Sequence, residues 1–137
     1  MTMQLRVARH TQRLEEIVSF YRDGIGLREI GRFDDHEGYQ GVFLALPGTE
    51  AHLEFTSGGK HRAPAPHPES LLVLYVGEDE TVRRIASQLD GPPVTAANPY
   101  WAEHGTTFED PDGFRIVLVP ERWRGQSAGG LRRLDRD

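Results

Sequence analysis

The residues best able to do chemistry in this chain lie in two short alternating runs and one aromatic stretch. His52-Leu53-Glu54-Phe55-Thr56 alternates polar and apolar side chains. A strand there puts an imidazole, a carboxylate and a hydroxyl on one face. Arg115-Ile116-Val117-Leu118-Val119 would likewise put a guanidinium and two valines on one face. Between them, Tyr100-Trp101 and Glu103-His104 read as a loop. Aromatics in a loop suit a pocket wall or lid, or equally a satellite core cluster. A carboxylate beside an imidazole suits a general base with an orienting partner, although loop neighbours more often point apart. His10 and His36 read as solvated loop histidines, and His61 and His67 as surface residues of a linker.

The elements that must position these groups follow from periodicity. Leu5 to Ala8 reads as a strand. Leu14, Ile17, Val18 and Tyr21 follow the i, i+3, i+4, i+7 face of an amphipathic helix, stopped by Gly24 and Gly26. Strands are expected over Leu27 to Phe33, Val42 to Leu46 and His52 to Thr56, with a polar loop from Asp34 to Tyr39. Ser57 to Glu69 carries Pro and Gly at a density that sustains neither helix nor ladder. The programme then restarts. Leu71 to Val76 is an apolar strand, and Val82, Ile85, Ala86 and Leu89 repeat the helix face. A short strand is expected at Val94 to Ala97, and Thr106 to Phe108 and Phe114 to Val119 form a hairpin. Its turn is Asp110-Pro111-Asp112-Gly113: Pro111 presets φ, Asp112 bonds locally to the backbone and Gly113 takes the positive φ. The chain thus reads as strand, helix, three strands, twice, a duplicated α+β unit with changed loops.

Composition sets the outer bounds. With 137 residues the chain suits one domain with a sizeable core. Sixteen Lys+Arg against 21 Asp+Glu give a net charge of −5, which argues against nucleic acid or an anionic membrane as the main partner. The absence of cysteine excludes disulfides, zinc–thiolate sites and thiol catalysis, and makes a cytoplasmic location the simple expectation. No apolar run approaches the roughly 18 residues of a spanning helix. The first residues carry no apolar signal region.

Several features together resemble the glyoxalase, bleomycin-resistance and extradiol dioxygenase superfamily (vicinal oxygen chelate). They are the two βαβββ modules, Phe20-Tyr21-Arg22-Asp23 with Gly26-Leu27 closing the first helix, His52-Leu53-Glu54-Phe55, and the Asp110-Pro111-Asp112-Gly113 hairpin. Asn98-Pro99-Tyr100-Trp101 resembles a small bacterial branch, the YycE-like proteins. The resemblance covers roughly residues 4 to 120. It implies one domain over 1–120: module 1 at about 4–57, a linker over 58–69, module 2 at about 70–120, and a C-terminal tail at 121–137. Each module would curl a mostly antiparallel sheet halfway round a pocket, as a half-barrel with its helix outside. Metalloenzymes of the superfamily bind a divalent metal through four sheet positions. In this sequence those positions fall on Arg6, Glu54, Leu71 and Val117. Only Glu54 can donate, and a first-row metal needs about three protein ligands.

Arg6 and Glu54 are then expected to face each other across the half-barrel as a bidentate pair, the polar centre of a metal-free cavity. The pair is alternatively structural, or Glu54 pairs with Arg115. If Glu54 points inward, strand alternation brings His52 and Thr56 with it; if Leu71 does, Val73 and Tyr75 follow, and if Val117 does, Arg115 and Val119 follow, with Phe43 the expected inward aromatic of the third strand. Leu53, Phe55, Leu72, Leu74, Val76, Ile116 and Leu118 would form the dry face under the helices. The expected ligand-binding set is Arg6, Phe43, His52, Glu54, Tyr75, Tyr100, Trp101 and Arg115. The leading function is binding of a small organic molecule with no cofactor. Against it stands an enzyme, a lyase, isomerase or oxidoreductase. It would use Glu54 as catalytic base or a divalent metal on an unusual set such as His52, Glu54 and His104. A third reading is a non-catalytic interaction domain. Edge strands left by the linker make a homodimer an expectation.

Overall fold

A computed structural model describes residues 1–125 of the chain. Two sheets, neither closed into a barrel, pack against a few helices in an α+β arrangement. The first sheet holds β1 (Arg6–His10), β2 (Arg28–His36), β3 (Tyr39–Ala45) and β4 (His52–Gly58) in the order β1-β4-β3-β2. The second holds β5 (Leu71–Tyr75), β6 (Thr106–Glu109) and β7 (Arg115–Val119) in the order β5-β7-β6. In each sheet the first strand pairs in parallel with the last, and the other pairings are antiparallel. The two modules thus repeat one topology. In the second, the strand expected at Val94 to Ala97 is reduced to a single bridge, Val94 to Thr107.

The apolar faces behave as their alternation requires. Leu53, Phe55, Ile116 and Leu118 are buried, with Leu72, Leu74 and Val76 packed on the same cluster. Helix α1 (Leu14–Val18) covers the first sheet with Leu14, Ile17 and Val18 and continues as a π-helical segment, Ser19–Ile25. That wider winding keeps Tyr21 and Ile25 on the buried face. It ends where the Gly26 and Leu27 amides both bond to the Tyr21 carbonyl, at 3.1 and 2.9 Å. Gly26 sits at φ 100°, the left-handed cap that a side chain resists. Gly24 does not terminate the helix. It lies inside the π segment, where a Cβ would come 2.5 Å from Leu89 Cδ2. The bare backbone lets α2 (Asp79–Gln88) and the residue after it approach, and Gln88 Nε2 donates to the Gly24 carbonyl at 2.8 Å.

Two loops proved to be regular structure. The polar stretch after Asp34 belongs to β2 as far as His36, and the turn is confined to Glu37-Gly38, both at positive φ. Tyr100 and Trp101 lie on a helix, α3 (Pro99–His104). Pro99 opens it and the Asn98 side chain accepts from the Tyr100 amide at 2.9 Å, so the residue types that read as a loop were a helix start. From residue 126 onward, the tail expected over 121–137 lies outside the described residues.

The modules are joined through the Asp110 carboxylate, whose side chain is fully buried. Oδ1 accepts from the amides of Asp112 and Phe114 at 2.8 and 3.1 Å and shapes the hairpin turn. Oδ2 accepts from Tyr21 Oη at 2.7 Å and from Arg9 Nη2 at 2.8 Å, both from the first module. Local backbone bonding therefore falls to Asp110. Asp112 turns instead toward Arg9 and Arg13, 3.5 and 3.6 Å away. The Arg9 guanidinium lies between the rings of Phe55 and Phe114, 5.0 and 3.9 Å from their centroids. Burial, then the neighbouring Asp110 charge, pushes the Tyr21 phenol well above its ordinary value. It therefore remains a neutral donor throughout the neutral range, and the stabilisation it contributes is lost only as pH rises above 10 toward the folded value.

Removing one partner from such a group leaves a buried charge uncompensated. Asp110→Ala is expected to lower stability by about 3–5 kcal/mol. Tyr21→Phe, which keeps the ring stacked on Phe55 and loses one bond, should cost about 1–2 kcal/mol. Urea denaturation followed by circular dichroism measures both; a Tyr21→Phe cost equal to that of Asp110→Ala would contradict this ordering.

Candidate functional site

β1, β3 and β4 bring four side chains together on one face of the first sheet. Register sets Arg6 opposite His52, and Phe43 opposite Glu54. Arg6 Nε donates to His52 Nε2 at 2.8 Å. Arginine is only a donor, so the proton of a neutral His52 is on Nδ1. The Arg6 guanidinium lies 4.7 Å from the Phe43 ring centroid, and Nη1 is 3.5 Å from Glu54 Oε1. That contact is an ion pair longer than a good hydrogen bond. The expected bidentate fork does not form, because His52 and Phe43 already hold the guanidinium. Arg6 remains half exposed while His52 is buried and Glu54 is 16% exposed, so donors at the rim stand over an acceptor in the floor.

The same face extends toward the far end of the strands, further than the sequence indicated. Phe33 lies 5.9 Å from Phe43, and its ring rests on Gly41, where a Cβ would come 2.5 Å from the ring edge. His10 is the last residue of β1 rather than a loop residue. Its Nε2 is buried without a partner, and His61 from the linker packs edge-on at 5.2 Å. His61 is exposed, as its place in the linker suggested, and its Nε2 bonds Tyr39 Oη at 2.8 Å. The available signal was alternation, since Arg6, Ala8 and His10 share one face of β1 and Tyr39, Gly41 and Phe43 one face of β3.

The second sheet contributes differently. Arg115 bonds Glu109 and the Thr95 carbonyl, both at 3.1 Å, so the alternative pairing with Glu54 does not occur. Val117 is fully buried. Gly105, at the end of α3, sits so close that a Cβ there would be 2.6 Å from Val117 Cγ1 and 2.9 Å from the Leu118 carbonyl. The concave face of this sheet is therefore covered by the chain itself. Tyr100 and Trp101 pack edge-on at 4.9 Å, and His104 stacks on Tyr100 at 4.0 Å with Nδ1 donating to the Tyr100 carbonyl at 2.7 Å. Glu103 is exposed. Tyr75 sits near Tyr100 and Glu121, and burial, then those neighbours, raises its phenol above the ordinary value. Of the expected set, then, Arg6, Phe43, His52 and Glu54 converge. No hydrogen bond or ion pair among the described residues joins Tyr75, Tyr100, Trp101 or Arg115 to them.

The four sheet positions do not suit a metal. Arg6 is a cation, Leu71 and Val117 offer no lone pair, and Val117 is sealed beneath Gly105. Among the described residues no three His, Asp or Glu side chains are grouped to hold one. The set His52, Glu54 and His104 is not assembled, because His104 is held on α3 by Tyr100.

Comparison with known proteins bears on this geometry. Family models described as the YycE-like N-terminal domain and the YycE-like C-terminal domain match residues 5–56 and 69–120. The uncharacterised protein YycE of Bacillus subtilis (strain 168) is 48% identical over 120 residues, spanning 85% of this chain and 86% of that protein. The crystal structure of a Bacillus subtilis YycE protein of unknown function matches with a TM-score of 0.81 at 46% identity, covering 91% of this chain and 93% of that one. Leishmania major glyoxalase I, described as trypanothione-dependent, has a TM-score of 0.62 at 23% identity, with 88% of each chain covered. TnmS3, an antibiotic binding protein from Streptomyces sp. CB03234, has a TM-score of 0.61 at 20% identity, covering 88% and 97%. These last two likenesses are of fold.

The cover over the second sheet is tight enough to test. A methyl group on Gly105 would meet backbone and a fully packed valine, neither of which can swing aside. Gly105→Ala should lower stability by about 1–3 kcal/mol in thermal or urea unfolding; an unchanged midpoint would show that α3 does not pack there as described.

Proposed function

The chain belongs to the YycE-like branch of the glyoxalase (vicinal oxygen chelate) superfamily, and on that footing we propose that it binds a small organic molecule on the concave face of its first sheet, around Arg6. The observation that carries this reading is the convergence of Arg6, Phe43, His52 and Glu54. Half-exposed guanidinium donors offer bonds to an acceptor such as a carboxylate or carbonyl. Phe43 and Phe33 offer flat apolar surface, and Glu54 accepts from a ligand hydroxyl or amine. A mostly apolar surface with a few convergent polar groups is what small-ligand sites use. Arg6 falls where the superfamily resemblance puts a metal-ligand position, which supports reading its guanidinium as the polar group that meets the ligand. The edge strands β1, β2 and β5 leave room for a homodimer as part of the same proposal.

A second reading has its own observation. Glu54 accepts no hydrogen bond among the described residues, and its nearest cation is 3.5 Å away. A carboxylate so placed can abstract a proton beside a carbonyl, as a lyase or isomerase requires. If the protein turns over such a compound, Glu54→Gln abolishes turnover; unchanged turnover removes Glu54 from the role.

The binding reading is tested by thermal shift against a panel of aromatic, thiol-conjugated and 2-oxo compounds. A ligand at 100 times its Kd adds about 2.7 kcal/mol of stability, a rise of several degrees. The expected result is one class of hits that Arg6→Met abolishes and Phe43→Ala weakens. Hits that persist unchanged in both variants, or a panel with none, would count against this face.

A further inference from the structure

A cleft of about 590 Å³ lies between the C-terminal end of β5, the turn that joins β3 to β4, and α2. None of Arg6, Phe43, His52 and Glu54 lines it. Its size falls within the ~300–1,000 Å³ of small-ligand pockets. One wall follows from helical spacing. Thr81, Arg84, Ile85 and Gln88 stand at i, i+3, i+4 and i+7 of α2, so a single face of that helix is turned to the cleft. Leu46, Leu74 and Val76 supply apolar lining from the strands and the turn. These three pack on the core but stay partly open to solvent, so the cleft holds aliphatic surface that the described residues leave uncovered.

The cleft carries one charge. No acidic residue lines it, and Arg84 is its only cation. Arg84 is exposed, so its guanidinium is reached directly from solvent. The groups around it are committed elsewhere. Arg83 pairs with Glu80 at 3.0 Å, Gln88 Nε2 donates to the Gly24 carbonyl at 2.8 Å, and Thr49 Oγ1 donates to the Leu46 carbonyl at 3.1 Å. Only the backbone carbonyl of Arg84 is used, by Ser87 Oγ at 2.7 Å; its side chain makes no ion pair or hydrogen bond among the described residues. A planar guanidinium fork matches a carboxylate, two bonds to two oxygens. The lining is aliphatic apart from Tyr75, so it lacks the paired rings that suit a flat ligand on the Arg6 face. Here the chemistry selects an anion with a flexible apolar body.

We propose that this cleft binds an aliphatic carboxylate of the medium-chain fatty acid class. The carboxylate takes the Arg84 guanidinium, with Thr81 one turn away on the same helix face as a further donor. The chain lies against Leu46, Leu74 and Val76 and removes them from water.

The probe is sodium decanoate, kept below its micelle-forming concentration and followed by ¹H–¹⁵N spectra of the full chain. Saturable shifts are expected at the amides of Leu46, Val76, Arg84 and Ile85, with those of Arg6 and Phe43 unmoved. 1-Decanol, which keeps the chain and loses the charge, should bind roughly tenfold more weakly. Arg84→Gln, at an exposed helix position, should bring decanoate down to the level of decanol. Thr81→Trp should fill the cleft and remove the response, with circular dichroism to establish that each variant folds. No saturable shift, shifts confined to Arg6, Phe43 and Glu54, equal binding of decanol, or an undiminished response in folded Arg84→Gln or Thr81→Trp would each overturn the assignment. Such a failure leaves the Arg6 face untouched, since its readouts are separate residues.

Discussion

One buried carboxylate holds this molecule in register. Asp110 shapes its own hairpin with two backbone bonds and reaches into the first module with two more, to Tyr21 and Arg9. Four bonds to one ionised side chain answer the cost of burying it. They also explain why the turn must be built this way. The oxygens must face opposite duties at once, which requires Pro111 and Gly113 to close the turn without help from a longer loop. Arg9, placed between two aromatic rings, transmits the hold to β1, the strand that carries Arg6. The concave face of the first sheet is thus positioned from behind.

The two modules share a topology but not a task. In the first, small residues at Gly31 and Gly41 let Phe43 and Phe33 lie low on the sheet, and the face remains open to solvent beside Arg6. In the second, α3 and Gly105 close over Val117, and the corresponding face becomes core. The valine at that position follows from this packing. A carboxylate there would be fully buried, at a cost of several kcal/mol without a partner. Val117 and its coverage at the end of α3 go together, and on the proposed reading the polar groups of the binding face are Arg6, His52 and Glu54.

Much of this was legible in the sequence, for reasons that can be named. The Leu14, Ile17, Val18, Tyr21 face and the alternation in His52 to Thr56 are periodic patterns, and periodicity survives without tertiary knowledge. The Asp-Pro-Asp-Gly hairpin announced a turn, although its bonding was assigned to Asp112 when Asp110 performs it. The superfamily resemblance also set Arg6 facing Glu54. The partners of Arg6 were misjudged because a guanidinium chooses among His52, Phe43 and Glu54 by distance, which only register reveals. The loop readings of Tyr100-Trp101 and of His10 failed for one reason: each depends on a contact far along the chain. α3 forms where it can seal Val117, and His10 lies opposite Thr56 of β4. Gly24 was read as a stop, but its role is to admit Leu89 from the other module.

The central claim is that the charge of Arg6 has replaced a metal as the polar centre of this superfamily's cavity. Elemental analysis of protein purified without a chelating resin tests it most directly. The account predicts far less than one transition metal per chain, with no difference between the native protein and Glu54→Gln. About one tightly bound metal per chain that disappears in Glu54→Gln would contradict it.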